Sequence, residues 1–432
     1  MRSPSAYIGI DLGTSGVRAL AIDENGNEIA ESAVSLPPPQ RDDAGKSEQN
    51  PELWWEAVVA VLKSLIPKLA AYEPCGLAVD GTSATLLIGD GQGRPLSPAL
   101  MYDDTRSRSV LPIIRNTAPA ESAVHSASSG LAKLIFLYPA VKTRRRIKAL
   151  HQADWILGRL TGRYGITDEN NALKLGYDAV ERRWPDWMER FGFPASILPE
   201  VHPAGTVVGR VSRAAARVTG LPGSCRVATG TTDSTAAALA SGIEKPGEAV
   251  TSLGSTLVVK VLSAHPIFEA DSGIYSHRIG NLWLAGGASN SGGAVLARYF
   301  TTSQMEELSR RINPLKPTNL GYYPLLAPGE RFPINDPCYL PRLLPRPEDD
   351  TLFFQGLLEG IAEIEKLGYT RLAELGAPVP TRVVTSGGGA DNEIWRRIRA
   401  CYLDISVEIA EHRQAAYGSA RLARMSLEQA SR

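Results

Sequence analysis

The sequence predicts an α/β protein of two domains around a central cleft, and three observations support that prediction. The chain has 432 residues, whereas a single hydrophobic core stops growing near ~250–300 residues. Two glycine-rich β-hairpins, at Leu12-Gly-Thr-Ser and at Leu253-Gly-Ser-Thr, lie about one domain length apart. Helical and strand patterns alternate along the rest of the chain. We therefore expect one domain at 1–242 and a second at 243–432.

The chain opens with an antiparallel meander. The β-rich runs Tyr7-Ile-Gly-Ile10 and Val17–Ile22 flank a glycine-rich turn, and Asn25-Gly26 begins a third run. No helical stretch separates these runs, which excludes a β-α-β start.

The remaining elements follow from periodicity and capping signals. Asn50-Pro51 opens an amphipathic helix through about Tyr72, because Asn is a favoured cap and Pro is favoured at the first helical position. A strand run covers 76–88, and a basic-faced helix is predicted at 130–150. Later helical patterns cover 351–375, 391–403 and 413–427.

Composition excludes several classes of function. Hydrophobic residues make up 43% and charged residues 21%, and 46 basic side chains balance 46 acidic ones. This balance argues against a nucleic-acid partner or an anionic membrane partner. No apolar run is long enough to span a bilayer, and there is no signal peptide or Cys-x-x-Cys pair, so we expect a cytoplasmic protein with reduced thiols. The histidines lack the spacing of a metalloprotease, and there is no Gly-x-Ser-x-Gly elbow.

The first hairpin turn, Asp11-Leu-Gly-Thr-Ser-Gly16, has the features of a phosphate cradle. Glycine allows backbone N–H groups to approach an anion, and Thr14 and Ser15 add hydroxyl donors. A carboxylate beside a phosphate requires a cation, so Asp11 indicates Mg²⁺ held through water. The alternative is a plain hairpin turn, but the second copy at Gly254-Ser-Thr256 favours function.

Asp233 follows a strand end and a Gly/Thr turn, and it precedes a helix of small residues. A carboxylate at a positive helix end can accept a hydroxyl proton while it remains ionised before the reaction. In isolation a first-turn helix acid explains the same position. A third glycine-rich loop, Gly387-Gly-Gly389, follows an apolar strand and precedes a helix, as in loops that approach a flat or anionic ligand.

In this order the segments resemble the FGGY family of carbohydrate kinases, whose two domains share the ribonuclease-H-like fold of actin-like ATPases. The likeness runs nearly from end to end. It is carried by Ile8–Gly16, Gly230-Thr-Thr-Asp233, Ser252-Leu-Gly-Ser-Thr256, Pro324–Pro333 and Gly387–Asn392.

The resemblance implies ATP-dependent phosphorylation of a sugar hydroxyl. Asp233 would be the catalytic base and a sugar contact, and Asp11 would contact the sugar and hold Mg²⁺ through water. The residues implied to bind ATP are Gly13, Thr14, Ser15, Gly254, Ser255, Thr256, Gly388, Gly389 and Asn392. No nucleic acid or membrane partner is expected, and the oligomeric state would be a monomer or a homodimer.

The choice of sugar depends on Thr82-Ser83-Ala84. Xylulose kinases have a Gln-Met-His-Gly stretch here, whereas this segment is similar to the Val-Asp-x-Thr-x-Ser-Thr pattern of ribulose kinases. Thr82 and Ser83 are therefore predicted sugar contacts, with D-ribulose favoured over D-xylulose. Glycerol kinases have an Arg-Glu pair at this place, which disfavours glycerol.

Tyr102-Asp-Asp-Thr-Arg106 resembles the family's Trp-x-Asp-x-Arg stretch and adds Asp104 as a predicted sugar contact. An interdomain ion pair between Asp104 and Arg106 is the alternative. Phe136 stands where the family usually has Trp, and the chain is shorter than typical members. The alternative functions are an actin-like or chaperone-like ATPase switch without sugar kinase activity, and a sugar-binding pseudokinase.

Overall fold

The computed structural model describes residues 3–143, 146–269 and 271–429, and its backbone forms two compact units. The first unit runs to Ala240 and takes in the segment from Gln414 onward, and the second is Ser241–Arg413. Within the described residues, none of the helices combines the length and apolar character that a bilayer crossing requires.

The strands in the described part of the chain, in chain order, are β1 (Ser5–Leu12), β2 (Gly16–Ile22), β3 (Glu28–Ser35), β4 (Gln40–Arg41), β5 (Ser47–Gln49), β6 (Glu73–Gly81), β7 (Leu86–Gly89), β8 (Ala99–Leu100), β9 (Lys148–His151), β10 (Ile166–Asp168), β11 (Glu200–His202), β12 (Val207–Arg210), β13 (Arg226–Ala228), β14 (Thr231–Thr232), β15 (Glu248–Leu253), β16 (Leu257–Ser263), β17 (Tyr275–Ile279), β18 (Leu282–Ala288), β19 (Arg382–Ser386) and β20 (Ser406–Ile409).

The α-helices are α1 (Pro51–Leu65), α2 (Leu111–Thr117), α3 (Gly130–Leu137), α4 (Gln152–Thr161), α5 (Glu169–Leu173), α6 (Arg213–Thr219), α7 (Asp233–Ala240), α8 (Gly293–Tyr299), α9 (Thr302–Ser309), α10 (Asp350–Glu374), α11 (Glu393–Leu403) and α12 (Ala415–Gln429). Short 3₁₀ turns cover Ile66–Leu69, Arg106–Val110, Tyr138–Ala140, Asp186–Phe191, Ala195–Ile197 and Gly388–Asp391.

Both units are built around the same arrangement of strands. The large sheet of the first unit has the order β12-β13-β6-β1-β2-β3, and β14 also pairs with β6. The sheet of the second unit has the order β17-β18-β16-β15-β19-β20. In each sheet a central strand, β1 or β15, pairs antiparallel with the next strand and parallel with a later one. This confirms the predicted opening meander and the repeated hairpin.

The compact units differ from the expected domains at the last helix. The division after Ala240 lies close to the predicted boundary at 242, but α12 packs on β1 and α7 and belongs with them to the first unit. Close backbone contacts make this possible, since a Cβ on Gly9 would lie 1.9 Å from Ala416 O and one on Gly418 would lie 1.8 Å from Ala236 O. The second unit is therefore a continuous insertion into the first.

Two other predictions differ from the structure. The helix expected at 130–150 ends at Leu137, and β9 begins at Lys148. Arg144 and Arg145, which made that pattern basic, lie outside the described residues. The strand run expected at 76–88 is two strands, because the chain turns between β6 and β7, where Ala84 has a left-handed φ of 64°.

The second unit has a buried ion pair at its centre. Arg399 of α11 donates to Glu365 of α10 at 2.6 Å and 2.7 Å, and it also donates to Thr385 of β19. Both charged side chains are almost completely buried. Thr251 also donates to the Glu365 carboxylate. The pair thus connects two helices to two strands of the sheet.

Arg399→Leu is expected to reduce the free energy of unfolding by about 3–5 kcal/mol, because it leaves the Glu365 carboxylate buried without its partner. Arg397→Leu on the same helix removes an exposed pair with Glu393 and should change it by no more than about 1 kcal/mol. Urea unfolding of both variants measures the difference. Equal stabilities would contradict a stabilising role for the buried pair.

Candidate active site

Three aspartates converge in the first unit. Asp11 near the end of β1 lies opposite Asp80 of β6 in the parallel register. Thr231 of β14 pairs with Asp80 in turn, and Asp233 begins α7 directly after that strand. The structure therefore brings together Asp11 and Asp233, which the sequence singled out more than 200 residues apart.

Asp80 is a member of this cluster that the sequence reasoning did not select. Its side chain is completely buried, and its Oδ2 atom accepts a hydrogen bond of 2.6 Å from Ser419 Oγ of α12. Its Oδ1 atom has no hydrogen-bond partner among the described residues. Burial, with the negative charge of Asp11 as the next cause, raises the pKa of the Asp80 carboxyl well above its usual range. An acidic residue directly after the apolar run Leu77-Ala-Val, within a predicted strand, was the signal that could have revealed it.

Two hydrogen bonds to backbone carbonyls hold the first hairpin turn. Gly13 N–H donates to Gly16 O at 3.0 Å, and Gln49 Nε2 donates to Thr14 O at 2.9 Å. A cavity of about 340 Å³ opens beside the turn, and its lining includes Asp11, Gly13 and Ser15. The Thr14 side chain is not part of that lining. The turn thus presents glycine backbone and the exposed Ser15 hydroxyl, as a phosphate cradle requires.

Arg18 lines the same cavity and was also missed. It lies opposite Asp11 in the antiparallel register of β1 and β2. Burial raises the pKa of the Asp11 carboxyl, while the charge of Arg18 acts in the opposite direction. The cavity thus combines a carboxylate, a guanidinium and backbone amides.

The Asp11 carboxylate fits Mg²⁺ held through water. Within the described residues, no group of three or more His, Cys, Asp or Glu side chains is arranged to surround a metal ion. Mg²⁺ usually retains several waters and binds through one or two carboxylates and substrate phosphates. Asp11, beside an open polar cavity, offers one carboxylate of that kind.

Asp233 occupies the position predicted for it, at the start of α7. Its carboxylate is partly exposed, and Oδ1 accepts from Ser234 N–H at 2.6 Å. The preceding turn is packed tightly against β6, since a Cβ on Gly230 would lie 1.6 Å from Val79 O. The turn therefore fixes Asp233 relative to the strand that carries Asp80.

The predicted sugar contacts lie on the turn between β6 and β7. Among residues 81–85 only Ser83 is partly exposed. The Thr82 hydroxyl is buried, and it lies 2.9 Å from Gln152 Oε1 and 2.6 Å from Thr85 Oγ1. Ser83 is thus the hydroxyl that this turn presents, whereas Thr82 supports the turn from inside.

Asp104 has a different role from the predicted sugar contact. It is completely buried, and its carboxylate accepts from Ser47 N–H at 2.8 Å and from the Arg106 guanidinium at 2.7 Å. Arg106 also pairs with Glu48. The alternative of an ion pair is therefore the better description. The pair is not interdomain, because all of its members belong to the first unit.

The second hairpin turn, Gly254-Ser-Thr256, is supported by a glycine pair at the start of α8. Gly293 N–H donates to Gly254 O at 2.9 Å, and Ala294 N–H donates to Ser255 O at 3.1 Å. A Cβ on Gly293 would lie 2.7 Å from Gly254 O. The sequence reasoning missed this support, although Asn290-Ser-Gly-Gly293 is itself glycine-rich.

A cavity of about 870 Å³ lies in the second unit and is lined by Gly254, Ser255, Gly388, Gly389 and Asn392. Thr256 is not part of that lining. Apolar side chains, including Phe354 and Trp395, form much of the remaining wall. The volume and the mixture of apolar wall and few polar groups are typical of a cofactor-sized ligand site. Five of the nine predicted nucleotide residues therefore meet in one cavity, and Gly13 and Ser15 line the cavity of the first unit.

Asn392 lines this cavity and also caps the helix that follows it. Its Oδ1 atom accepts from Trp395 N–H at 3.0 Å as the N-cap of α11, and its Nδ2 atom donates to Ser309 Oγ at 2.9 Å. Gly388 faces open space. The loop thus keeps its backbone accessible while Asn392 fixes the helix behind it.

The Pro324–Pro333 stretch supports the second turn indirectly. Glu330 is buried and accepts from Ser289 Oγ at 2.6 Å and from Asn290 N–H at 2.8 Å. The neighbouring Ser291 carbonyl accepts from Leu257 N–H at 2.7 Å. Glu330 thus stabilises the segment that follows β18 and borders Gly254-Ser-Thr256.

Comparison with family profiles gives two matches that together span most of the chain. Residues 6–240 match the N-terminal domain of the FGGY family of carbohydrate kinases, and residues 249–427 match the C-terminal domain of the same family.

Individual proteins agree with these profiles. The chain is 26% identical to the xylulose kinase of Escherichia coli and 24% identical to that of Staphylococcus xylosus, in each case over 97% of this chain and 90% of the relative. The crystal structure of a xyloylose kinase from Brucella ovis superposes with a TM-score of 0.86 at 26% identity, covering 98% of this chain and 91% of the other.

Proposed function

Because the chain belongs to the FGGY family of carbohydrate kinases, and both of its domains have the actin-like ATPase fold, we propose that it transfers the γ-phosphoryl group of ATP to a hydroxyl of a ketopentose. The observation that carries this proposal is the convergence of Asp11, Asp80 and Asp233 beside the turn that presents Ser83. The xylulose kinases among its relatives support a five-carbon ketose.

Asp233 is the proposed catalytic base. Its partly exposed carboxylate accepts the proton of the sugar hydroxyl as that oxygen bonds to the γ-phosphorus and ADP leaves. The N-terminus of α7 and the Ser234 N–H favour the ionised form before the reaction. Ser83 is the proposed sugar contact on the neighbouring turn, and Asp11 is the proposed contact on β1.

The phosphate groups are assigned to the two hairpin turns. Ser15 in the first unit and Ser255 in the second offer backbone N–H groups and hydroxyls to phosphate oxygens, while Gly13 and Gly254, which carry no Cβ, leave room for the phosphate to approach. The adenosine is assigned to the 870 Å³ cavity, along Gly388 and Gly389. Asp11 would hold Mg²⁺ through water. When bound, that ion would neutralise charge on the phosphates.

D-Ribulose is the proposed preferred ketopentose, ahead of D-xylulose. The support is the Thr82-Ser83-Ala84 segment, which differs from the Gln-Met-His-Gly stretch of xylulose kinases and leaves one small hydroxyl at the surface of the turn. The bound sugar would cover this hydroxyl. An epimer that cannot pair with it would leave a buried polar group without a partner and would therefore be used less efficiently. The cytoplasmic location remains a prediction.

A screen of ADP release tests this function. With ATP and Mg²⁺ we expect turnover with ketopentoses, a kcat/KM for D-ribulose at least about tenfold above that for D-xylulose, and no turnover with glycerol. A higher kcat/KM for D-xylulose would overturn the D-ribulose preference alone. ATP hydrolysis that is equally fast without any sugar would instead support the ATPase-switch alternative.

A further inference from the structure

The turn between β6 and β7 is held in a conformation that its own residues disfavour. Ala84 has a φ of 64°, in the left-handed region that residues with a Cβ rarely adopt. Such a conformation persists only where the surroundings enforce it. The contacts that enforce it here come from two helices, α3 and α4.

Lys133 of α3 makes the first contact. Its side chain is completely buried, and its Nζ atom donates to the Ala84 carbonyl at 2.7 Å. Buried lysines are rare unless a carboxylate pairs with them. Within the described residues, however, the hydrogen bond of the Lys133 amine goes to the Ala84 backbone carbonyl. Burial lowers the pKa of Lys133 to about 7, and both the charged and the neutral amine can donate this hydrogen bond.

Gln152, the first residue of α4, makes the second contact. Its Oε1 atom lies 3.0 Å from Thr82 N and 2.9 Å from Thr82 Oγ1, and accepts a hydrogen bond from the N–H. Its backbone N–H donates to Thr85 O at 3.2 Å. The glycine at position 81 permits this approach, since a Cβ there would lie 3.1 Å from Gln152 Oε1.

We propose that Lys133 and Gln152 are positioning residues that clamp the 82–85 turn so that Ser83 is presented to the sugar. This inference rests on the proposed ketopentose kinase function. The two side chains grip the residues on either side of Ser83 and leave its own side chain at the surface. Sugar recognition then depends on two residues that need not touch the sugar.

The test separates positioning from general stability. Lys133→Met keeps the length of the side chain and removes the donor, so we expect the KM for the ketopentose to rise about tenfold while kcat and the KM for ATP stay within about twofold. A merely structural loss would reduce the active fraction and leave both KM values unchanged. Lys68→Met, which removes another lysine bond to a backbone carbonyl, that of Glu31, is the matched control and should leave the sugar KM unchanged.

A second substitution provides the rescue. Glycine adopts a left-handed φ without steric cost, so Ala84→Gly in the Lys133→Met background should restore most of the lost sugar affinity. If Lys133→Met is insoluble, the same measurement on Gln152→Met, which loses the acceptor for Thr82, is expected to show the raised sugar KM.

Soluble Lys133→Met or Gln152→Met enzyme with the wild-type sugar KM would overturn the clamp. The proposed function is judged separately, on the wild-type enzyme and Lys68→Met. If neither releases ADP in response to a sugar, the kinase proposal fails, and the clamp's role in sugar recognition fails with it.

Discussion

Asp233→Asn is expected to lower kcat by about 10²–10⁴-fold, the range that a positioned general base contributes. The amide keeps the shape of the side chain and can still accept from Ser234 N–H, but it cannot take the proton of the sugar hydroxyl. Because the change leaves the nucleotide cavity of the second unit intact, equilibrium binding of ATP should be unaffected. Steady-state ADP release with saturating ketopentose and ATP measures the loss.

The chain offers a matched control for this substitution. Asp350 is likewise the first residue of a helix, α10, but it is exposed and pairs with Arg346 on the surface. Asp350→Asn should leave kcat within about twofold of the wild type. If Asp233→Asn retains full turnover, Asp233 is only a first-turn helix acid, the alternative to a catalytic base that the sequence left open.

Gly230→Ala is expected to lower kcat about 100-fold by moving Asp233 rather than by removing it. A Cβ at this position would lie 1.6 Å from Val79 O, and backbone cannot yield as a flexible side chain can. The turn that carries Thr231, Thr232 and Asp233 must therefore shift. A misplacement of about 1 Å can cost 10²-fold in rate, and overpacking should also lower stability by about 1–3 kcal/mol.

Gly223→Ala is the control for Gly230→Ala. Gly223 belongs to the same unit and has no left-handed φ, and its Cβ would lie 3.9 Å from the nearest atom, Val211 O. It should retain the wild-type kcat and melting temperature. Measuring kcat and thermal unfolding together separates displacement of the base from loss of folded protein. Wild-type kcat in folded Gly230→Ala would show that the turn tolerates the side chain.

Local signals predicted much of the fold. The meander and both hairpins were predicted because glycine turns between β-rich runs are encoded within about twenty residues. The start of α1 was predicted for the same reason, since Asn50 caps the helix and Pro51 occupies its first position. The helix expected at 130–150 was too long because a run of apolar and basic residues does not specify where packing ends a helix. The placement of α12 in the first unit depends on contacts between residues far apart in sequence, those of Gly9 with Ala416 and of Gly418 with Ala236.

The site was predicted in part for the same reason. Asp11, Asp233 and the three glycine-rich loops are recognisable from neighbouring residues alone. Asp80, Arg18, Lys133 and Gln152 act through partners on other elements, and Ser419 reaches Asp80 from the opposite end of the chain. Asp104 shows the converse error, because a conspicuous charge pattern in sequence proved to be a buried ion pair.

The insertion of Ser241–Arg413 into the first unit has a consequence for biosynthesis. The strand β1 leaves the ribosome before the inserted unit, but α12, which covers it and carries Ser419, is translated only after that whole unit. At about 5–20 residues per second, that delay is on the order of ten seconds or more. The inserted unit is continuous and can complete its own core in that interval. The first unit, with its acidic cluster, is therefore completed only after the inserted unit has been synthesised.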